Sequence, residues 1–157
     1  MSESTLIESI KAINESISYD EETNIFSLKK VDAWFDIATQ IKNLNFDYLM
    51  CITSIDMEEN QLALAYNIHS TETKDSIEFN LVFDKDAEIS SVESLWKTAD
   101  WHEREAYDMM GIKFINHPDM KRILLPHDWE GHPLKKNYEV ADYYHGMYIP
   151  KDKTSWE

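Results

Sequence analysis

The densest set of chemistry-bearing side chains in the sequence is DWHEREAYDMMGI, Asp100 to Ile112. His102-Glu103 opens an H-E-x-x-H pattern, which on a helix would aim two histidines at one zinc ion with the glutamate as base. Position 106 is Ala106, so the second histidine is missing. A zinc site needs three or four ligands in tetrahedral array. His117, His127, His132 and His145 follow at no recognisable ligand spacing, although they could converge in space. A stand-alone metal-dependent hydrolase built on His102, Glu103 and the later histidines is therefore the weaker reading. Neither a Gly-x-Ser-x-Gly elbow nor a P-loop occurs, and Cys51 sits in a strand-like run.

What remains is an ionic cluster. Arg104 and Asp108 are four apart and share a helix face, and Glu105 and Asp108 are three apart. Glu103 and Tyr107 form a neighbouring ridge. If exposed, each such pair contributes only about 0.3–0.5 kcal/mol. If buried, loss of one member costs about 3–5 kcal/mol. Spacing alone favours a solvated helix face.

The elements that must position this cluster are legible in outline. Leu6, Ile7, Ile10, Ile13 and Ile17 recur at helical spacing after Ser4-Thr5 as caps. Ile25 to Leu28 suits a short strand. Val31, Trp34, Phe35, Ala38, Ile41 and Leu44 predict a second helix with Asp32 in its first turn. Strands follow in FDYLMCITSIDM, around Leu62 to Ile68, and around Ile77 to Phe83, where apolar residues alternate. A third helix over about Val92 to Met110 carries the cluster, ends at Gly111, and could break near Asp100. The order α-β-α-β-β-β-α predicts an α+β fold, a two-layer domain with helices on one sheet face.

Composition divides the chain. Residues 1–100 hold no Gly or Pro, while the remainder holds all three Gly, all four Pro and five of the six His. We therefore expect a compact domain over 1–112 and an extended segment over 113–157. Within that segment only Ile123-Leu124-Leu125 looks like a strand. Its aromatics, Trp129, Tyr138, Tyr143, Tyr144, Tyr148 and Trp156, are unlike a disordered tail and like an interface. Composition leaves docking on a partner chain and wrapping of its own domain equally open.

The net charge of −15 argues against bare nucleic acid as a partner and is compatible with a basic protein surface. No apolar run approaches the roughly 18 residues of a membrane span. One cysteine allows no internal disulfide, and the acidic start MSESTLIESIKAINES resembles neither a signal nor a transit peptide. The expectation is a soluble bacterial or archaeal protein of the cytoplasm.

Glu103-Arg104-Glu105-Ala106-Tyr107-Asp108-Met109-Met110, followed after six residues by His117-Pro118-Asp119-Met120-Lys121-Arg122-Ile123-Leu124, resembles a family signature. The signature is that of the thirty-kilodalton subunit, or C subunit, of proton-pumping NADH–quinone oxidoreductase, respiratory complex I. The continuation through Asp128-Trp129, Gly131-His132-Pro133-Leu134, Lys136 and Tyr138 is similar to that family too. Small departures are Met110, where relatives often have Phe, and Lys135-Lys136-Asn137, where they have Arg-Lys-Asp. The resemblance is close from about Trp96 to Tyr138.

It implies a two-layer unit with a mixed sheet and a non-catalytic assembly subunit of the peripheral arm. Its partners would be chiefly the large quinone-site chain, known as the D subunit, and the B subunit, which completes that site. Iron–sulfur clusters, FMN and quinone would reside in other chains. The location would be the cytoplasmic side of a bacterial or archaeal membrane. Under this resemblance Glu103, Arg104, Glu105, Asp108, His117, Arg122, Asp128, Trp129, His132, Lys136 and Tyr138 are structural or interfacial residues, with no catalytic, cofactor or metal role. An equivalent subunit of a membrane-bound hydrogenase, or of a ferredoxin- or F420-linked quinone-reducing complex, would share these motifs.

Overall fold

A computed structural model describes residues 3–28, 30–57, 60–149 and 151. The fold is α+β, as the element order predicts, and its main sheet is mixed, as the family resemblance implies. It begins with α1 (Glu3–Lys11), β1 (Ile17–Asp20), β2 (Ile25–Leu28), a short 3-10 turn (Val31–Ala33) and α2 (Trp34–Asn43). Then come β3 (Tyr48–Asp56), β4 (Gln61–His69), β5 (Ser76–Asp84), β6 (Glu88–Ser90), α3 (Ala99–Met110) and β7 (Lys113–Ile115). A small hairpin, β8 (Tyr143–Tyr144) and β9 (Met147–Tyr148), ends the described chain's regular structure.

The main sheet has the order β1-β2-β5-β4-β3. Only the β2–β5 pair in it is parallel. Side chains alternate across a strand with period two. Register accordingly puts Phe26, Phe79 and Tyr66 in one row and Leu28, Leu81 and Leu64 in the next. All six are buried, as are Trp34, Ile37, Ala38 and Ile41 of α2. Burying a large apolar side chain contributes about 1.5–3 kcal/mol, so this single layer of rows and the helix stripe dominate the core.

A register shift between Leu49 and Cys51 interrupts β3. It lets Leu49 and Ile52 both face inward, opposite Ile68 and Tyr66. The same shift turns the acidic residue at the strand's end, Asp56, toward the core side, opposite buried Leu62.

Four sequence expectations need correction. The first helix stops at Lys11 rather than reaching Ile17. Asn14 accepts from the Ser16 backbone N–H at 2.9 Å, closing a turn that frees Ile17 to open β1. Ser4 and Thr5 lie inside that helix rather than capping it. The third helix starts at Ala99, not Val92. Its expected first turns are drawn off by tertiary bonds, from Trp96 Nε1–H to the Phe46 carbonyl and from Thr98 Oγ to the Leu49 carbonyl. Finally, Ile123–Leu125 forms no strand, for a reason that lies in α3. Trp156 lies outside the described residues.

Candidate functional site: the polar face of α3

Small residues set α3 close to the sheet. Ala99 and Ala106 are buried, and so, unexpectedly, are Glu103, Arg104 and Asp108. The solvated face predicted from spacing is thus wrong for three of the four charged residues, and right only for Glu105. The predicted Arg104–Asp108 pairing is also replaced. Each of these side chains has a partner more distant in sequence, which i, i+4 geometry cannot reveal.

Asp108 is fully buried and is the hub. Its Oδ2 accepts the backbone N–H groups of Ile123, Leu124 and Leu125 at 3.0, 2.8 and 3.0 Å. Its Oδ1 accepts from Arg122 Nη1 at 2.7 Å. The N–H groups that a strand would spend on a neighbour converge on one carboxylate, which is why this apolar triplet bends instead of pairing. Burial acts to raise the Asp108 pKa, but the N–H donors and Arg122 outweigh it and hold the carboxyl below its usual range.

Arg122 extends the hub, donating from Nη2 to the Gly131 carbonyl at 2.9 Å. Arg104 donates from Nε to the Lys121 carbonyl at 3.2 Å and lies over the Trp101 ring at 5.1 Å. His132 Nδ1 is 2.9 Å from the Asp108 carbonyl oxygen, which can only accept, so Nδ1 carries the hydrogen. The Leu134 N–H bonds the Met109 carbonyl at 3.1 Å. Gly111 ends the helix in the left-handed region at φ 68°. A Cβ there would stand 2.6 Å from the His132 ring, so both conformation and space select glycine.

Glu103 serves the other end of the helix. It is fully buried and accepts from Ser91 Oγ at 2.6 Å and from the Val92 N–H at 2.8 Å. Burial pushes its pKa up to about 7 against the opposing pull of those two donors. The His117 ring, wholly buried, faces it. His117 Nδ1 accepts from the Asp119 N–H at 3.2 Å, so the neutral ring carries its hydrogen on Nε2. That Nε2 stands 3.3 Å from Asp100 Oδ1 and 3.9 Å from Glu103 Oε2, without a well-aligned hydrogen bond to either.

Lys136 contributes through its backbone. Its N–H donates to Asp56 Oδ2 at 2.7 Å, and Lys85 Nζ sits 3.2 Å from Oδ1. The Lys136 N–H is the main reason the Asp56 carboxyl lies below its usual range. Farther along, Trp129 Nε1–H donates to Tyr138 Oη at 3.1 Å. Asp128 accepts from Tyr144 Oη at 2.9 Å and pairs with His145 Nε2 at 2.7 Å.

The predicted residues therefore form two groups. Glu103, Arg104, Asp108, His117, Arg122 and His132 gather on α3. Asp128, Trp129 and Tyr138 form a second cluster, and Glu105 and Lys136 join neither. Sequence reasoning missed Ser91, Asp56 and Lys85. Only Asp56 had a readable signal, as an acid continuing the inward series of a strand, and the register shift disguised it. Among the described residues, no group of three or more His, Cys, Asp or Glu is placed to hold a metal ion. Asp108, Asp56 and Arg104 are spent on backbone groups of the segment from Lys121 to Lys136, which is the chemistry of an anchor.

Residues 28–144 match the family described as respiratory-chain NADH dehydrogenase, 30 Kd subunit. The chain belongs to this family. The NADH-quinone oxidoreductase C subunit of Chloroherpeton thalassium is 45% identical over 130 residues, covering 80% of the chain and 54% of that relative. The C subunit of Chlorobium phaeobacteroides is 39% identical over 137 residues, covering 83% and 82%. A protein of Phocaeicola vulgatus named as a C/D subunit of NADH-quinone oxidoreductase is 39% identical over 99 residues, 62% of this chain and 19% of that one. The chain thus spans about half the length of the Chloroherpeton relative. In fold it is similar to a chain in the structure of the membrane-bound sulfane sulfur reductase, an archaeal respiratory membrane complex. That match has a TM-score of 0.75 at 18% identity and covers 93% of this chain and 98% of the other. Among the described residues of the 30 Kd family member, no helix is long and apolar enough to cross a membrane.

Proposed function

We propose that this chain is a non-catalytic assembly subunit in the peripheral arm of a proton-pumping NADH–quinone oxidoreductase. It docks on the large quinone-site subunit, with the smaller chain that completes the quinone site nearby, on the cytoplasmic side of a bacterial or archaeal membrane. Residues 113–157 are its docking segment. Flavin, iron–sulfur clusters and quinone bind in other chains.

One observation carries this reading. Asp108 and Arg104 of α3 are consumed in fixing the inner side of the segment, while its outer side keeps Leu124, Leu134, Tyr143, Met147 and Tyr148 about three-fifths exposed, at 58–64%. Apolar side chains presented on a segment already anchored by a buried carboxylate are suited to a partner, because part of the ordering precedes binding. Support for the large subunit as that partner comes from the Phocaeicola relative, whose name joins C and D in one protein. The equivalent subunit of a related hydrogenase-type complex is the second reading, and the shared fold with a chain of another respiratory membrane complex is what favours it. The identities of 39–45% to NADH-quinone oxidoreductase subunits weigh toward the first.

The test is a tagged chain expressed in the native cell and recovered from solubilised membranes. Recovery with the large quinone-site subunit and an NADH-oxidising activity supports the proposal. Recovery with a hydrogenase or ferredoxin-linked set favours the second reading, and recovery alone defeats both.

A further inference from the structure

The aromatic cluster of the C-terminal segment frames a cavity of about 260 Å³. Trp129, Tyr138, Tyr144 and Ile149 line it, with Asp128 and Glu130 at the same site. The ring centroids of Trp129 and Tyr144 are 5.1 Å apart and their planes are tilted by 47°. The polar edges of these rings are already engaged, Trp129 Nε1–H on Tyr138 Oη and Tyr144 Oη on Asp128. What the cluster still offers is π face and carboxylate. Glu130 is exposed at the rim.

We infer that this cavity receives the side chain of an arginine from a partner polypeptide. π faces attract cations, and a planar guanidinium can stack on a ring while its N–H fork meets a carboxylate. A neutral apolar occupant would use the rings but would screen Glu130 from water without offering it a partner. The net charge of −15 favours a basic partner surface on approach. His145 and Tyr144 already occupy the two Asp128 carboxylate oxygens, at 2.7 and 2.9 Å, which leaves Glu130 as the carboxylate for the incoming cation. The inference rests on the docking reading above for the source of the arginine, but the cavity's preference is a property of this chain alone.

The experiment is a titration of the nitrogen-15-labelled chain, residues 1–157, with N-acetyl-arginine methylamide. The Trp129 indole N–H resonance is followed, with the neutral isostere N-acetyl-citrulline methylamide and choline as parallel probes. A saturable shift with the arginine probe, weaker by about tenfold with citrulline, is expected from loss of a desolvated cation contact. Glu130→Gln, at an exposed position, should weaken arginine binding about threefold or more while leaving the spectrum otherwise folded. Equal shifts from citrulline, tighter binding of choline, or no shift at all would overturn the inference. Recovery of the large quinone-site subunit with the tagged chain, alongside a null titration, would remove the arginine site and leave the docking role standing. Arginine binding by a chain that recovers no partner would do the reverse.

Discussion

Asp108→Asn is the most incisive perturbation of the anchor. The asparagine can turn its single carbonyl oxygen to the three N–H groups of Ile123, Leu124 and Leu125, and its amide then points N–H at Arg122 Nη1, formerly 2.7 Å from the carboxylate. Two donors then face each other in a buried site. A charge-assisted hydrogen bond contributes about 1.5–3 kcal/mol, and stripping one partner from a buried pair costs about 3–5 kcal/mol. A loss of about 3 kcal/mol is therefore expected, because the three backbone bonds weaken but are not all broken. Hydrogen exchange reads this locally. The amides of residues 123–125 should exchange about a hundredfold faster than in the unmodified chain, since each 1.4 kcal/mol is tenfold. Core amides of β4 should lose less protection. The pH dependence has a definite sign. Asp108 has a folded pKa below its ordinary 3.8, so its contribution is full above that value and is lost as pH falls through the lowered one. Unchanged exchange at residues 123–125 would show that something other than this carboxylate holds the segment.

Three further outcomes follow from the same geometry. Glu103 has its pKa raised from 4.5 to about 7, so its contribution to stability is full below 4.5, declines as pH rises, and is gone above about 7. Glu103→Gln removes that titration, and urea unfolding across this range should show a stability gain above pH 7 of about 2–3 kcal/mol relative to the parent chain. Gly111→Ala meets both a positive φ and the His132 ring, and should lower stability by about 1–3 kcal/mol in thermal unfolding, with His132 displaced. Arg122→Ala, which breaks bonds to both Asp108 and the Gly131 carbonyl, should reduce the amount of assembled complex on a native gel severalfold. The NADH-to-quinone rate per assembled complex should stay close to normal; a collapse of that rate at normal assembly would contradict a purely structural role for Arg122.

Much of the scaffold was legible because period-two and period-3.6 patterns are local. The alternation of Ile77, Phe79, Leu81 and Phe83 announces β5, and the stripe of Trp34, Ala38 and Ile41 announces α2. What escaped was decided at a distance. Asn14 ended a helix whose apolar spacing ran on to Ile17. Trp96 and Thr98 spent their polar groups on Phe46 and Leu49, so the turn before Ala99 never became helix. Ile123–Leu125 has the composition of a strand and lacks one because Asp108 takes all three of its N–H groups. The family signature contains the six residues that gather on α3 but shows neither their pairing nor Ser91, Asp56 and Lys85. Helical spacing matched Arg104 with Asp108, whereas the fold matches Asp108 with Arg122 and Arg104 with a backbone carbonyl. The burial of Glu103 is likewise invisible without Ser91 and Val92, which lie on the opposite side of a turn.

The central claim is that the buried polar contacts of α3 to the C-terminal segment serve to present a surface to another polypeptide of the complex. Quantitative mass spectrometry of complexes recovered from native membranes through a tag on this chain tests it most directly. The account predicts the large quinone-site subunit in one-to-one ratio with the chain, and a sharp fall in that ratio for Asp108→Asn. A folded, fully expressed chain recovered without any stoichiometric partner, or an Asp108→Asn chain that recovers the large partner undiminished, would contradict it.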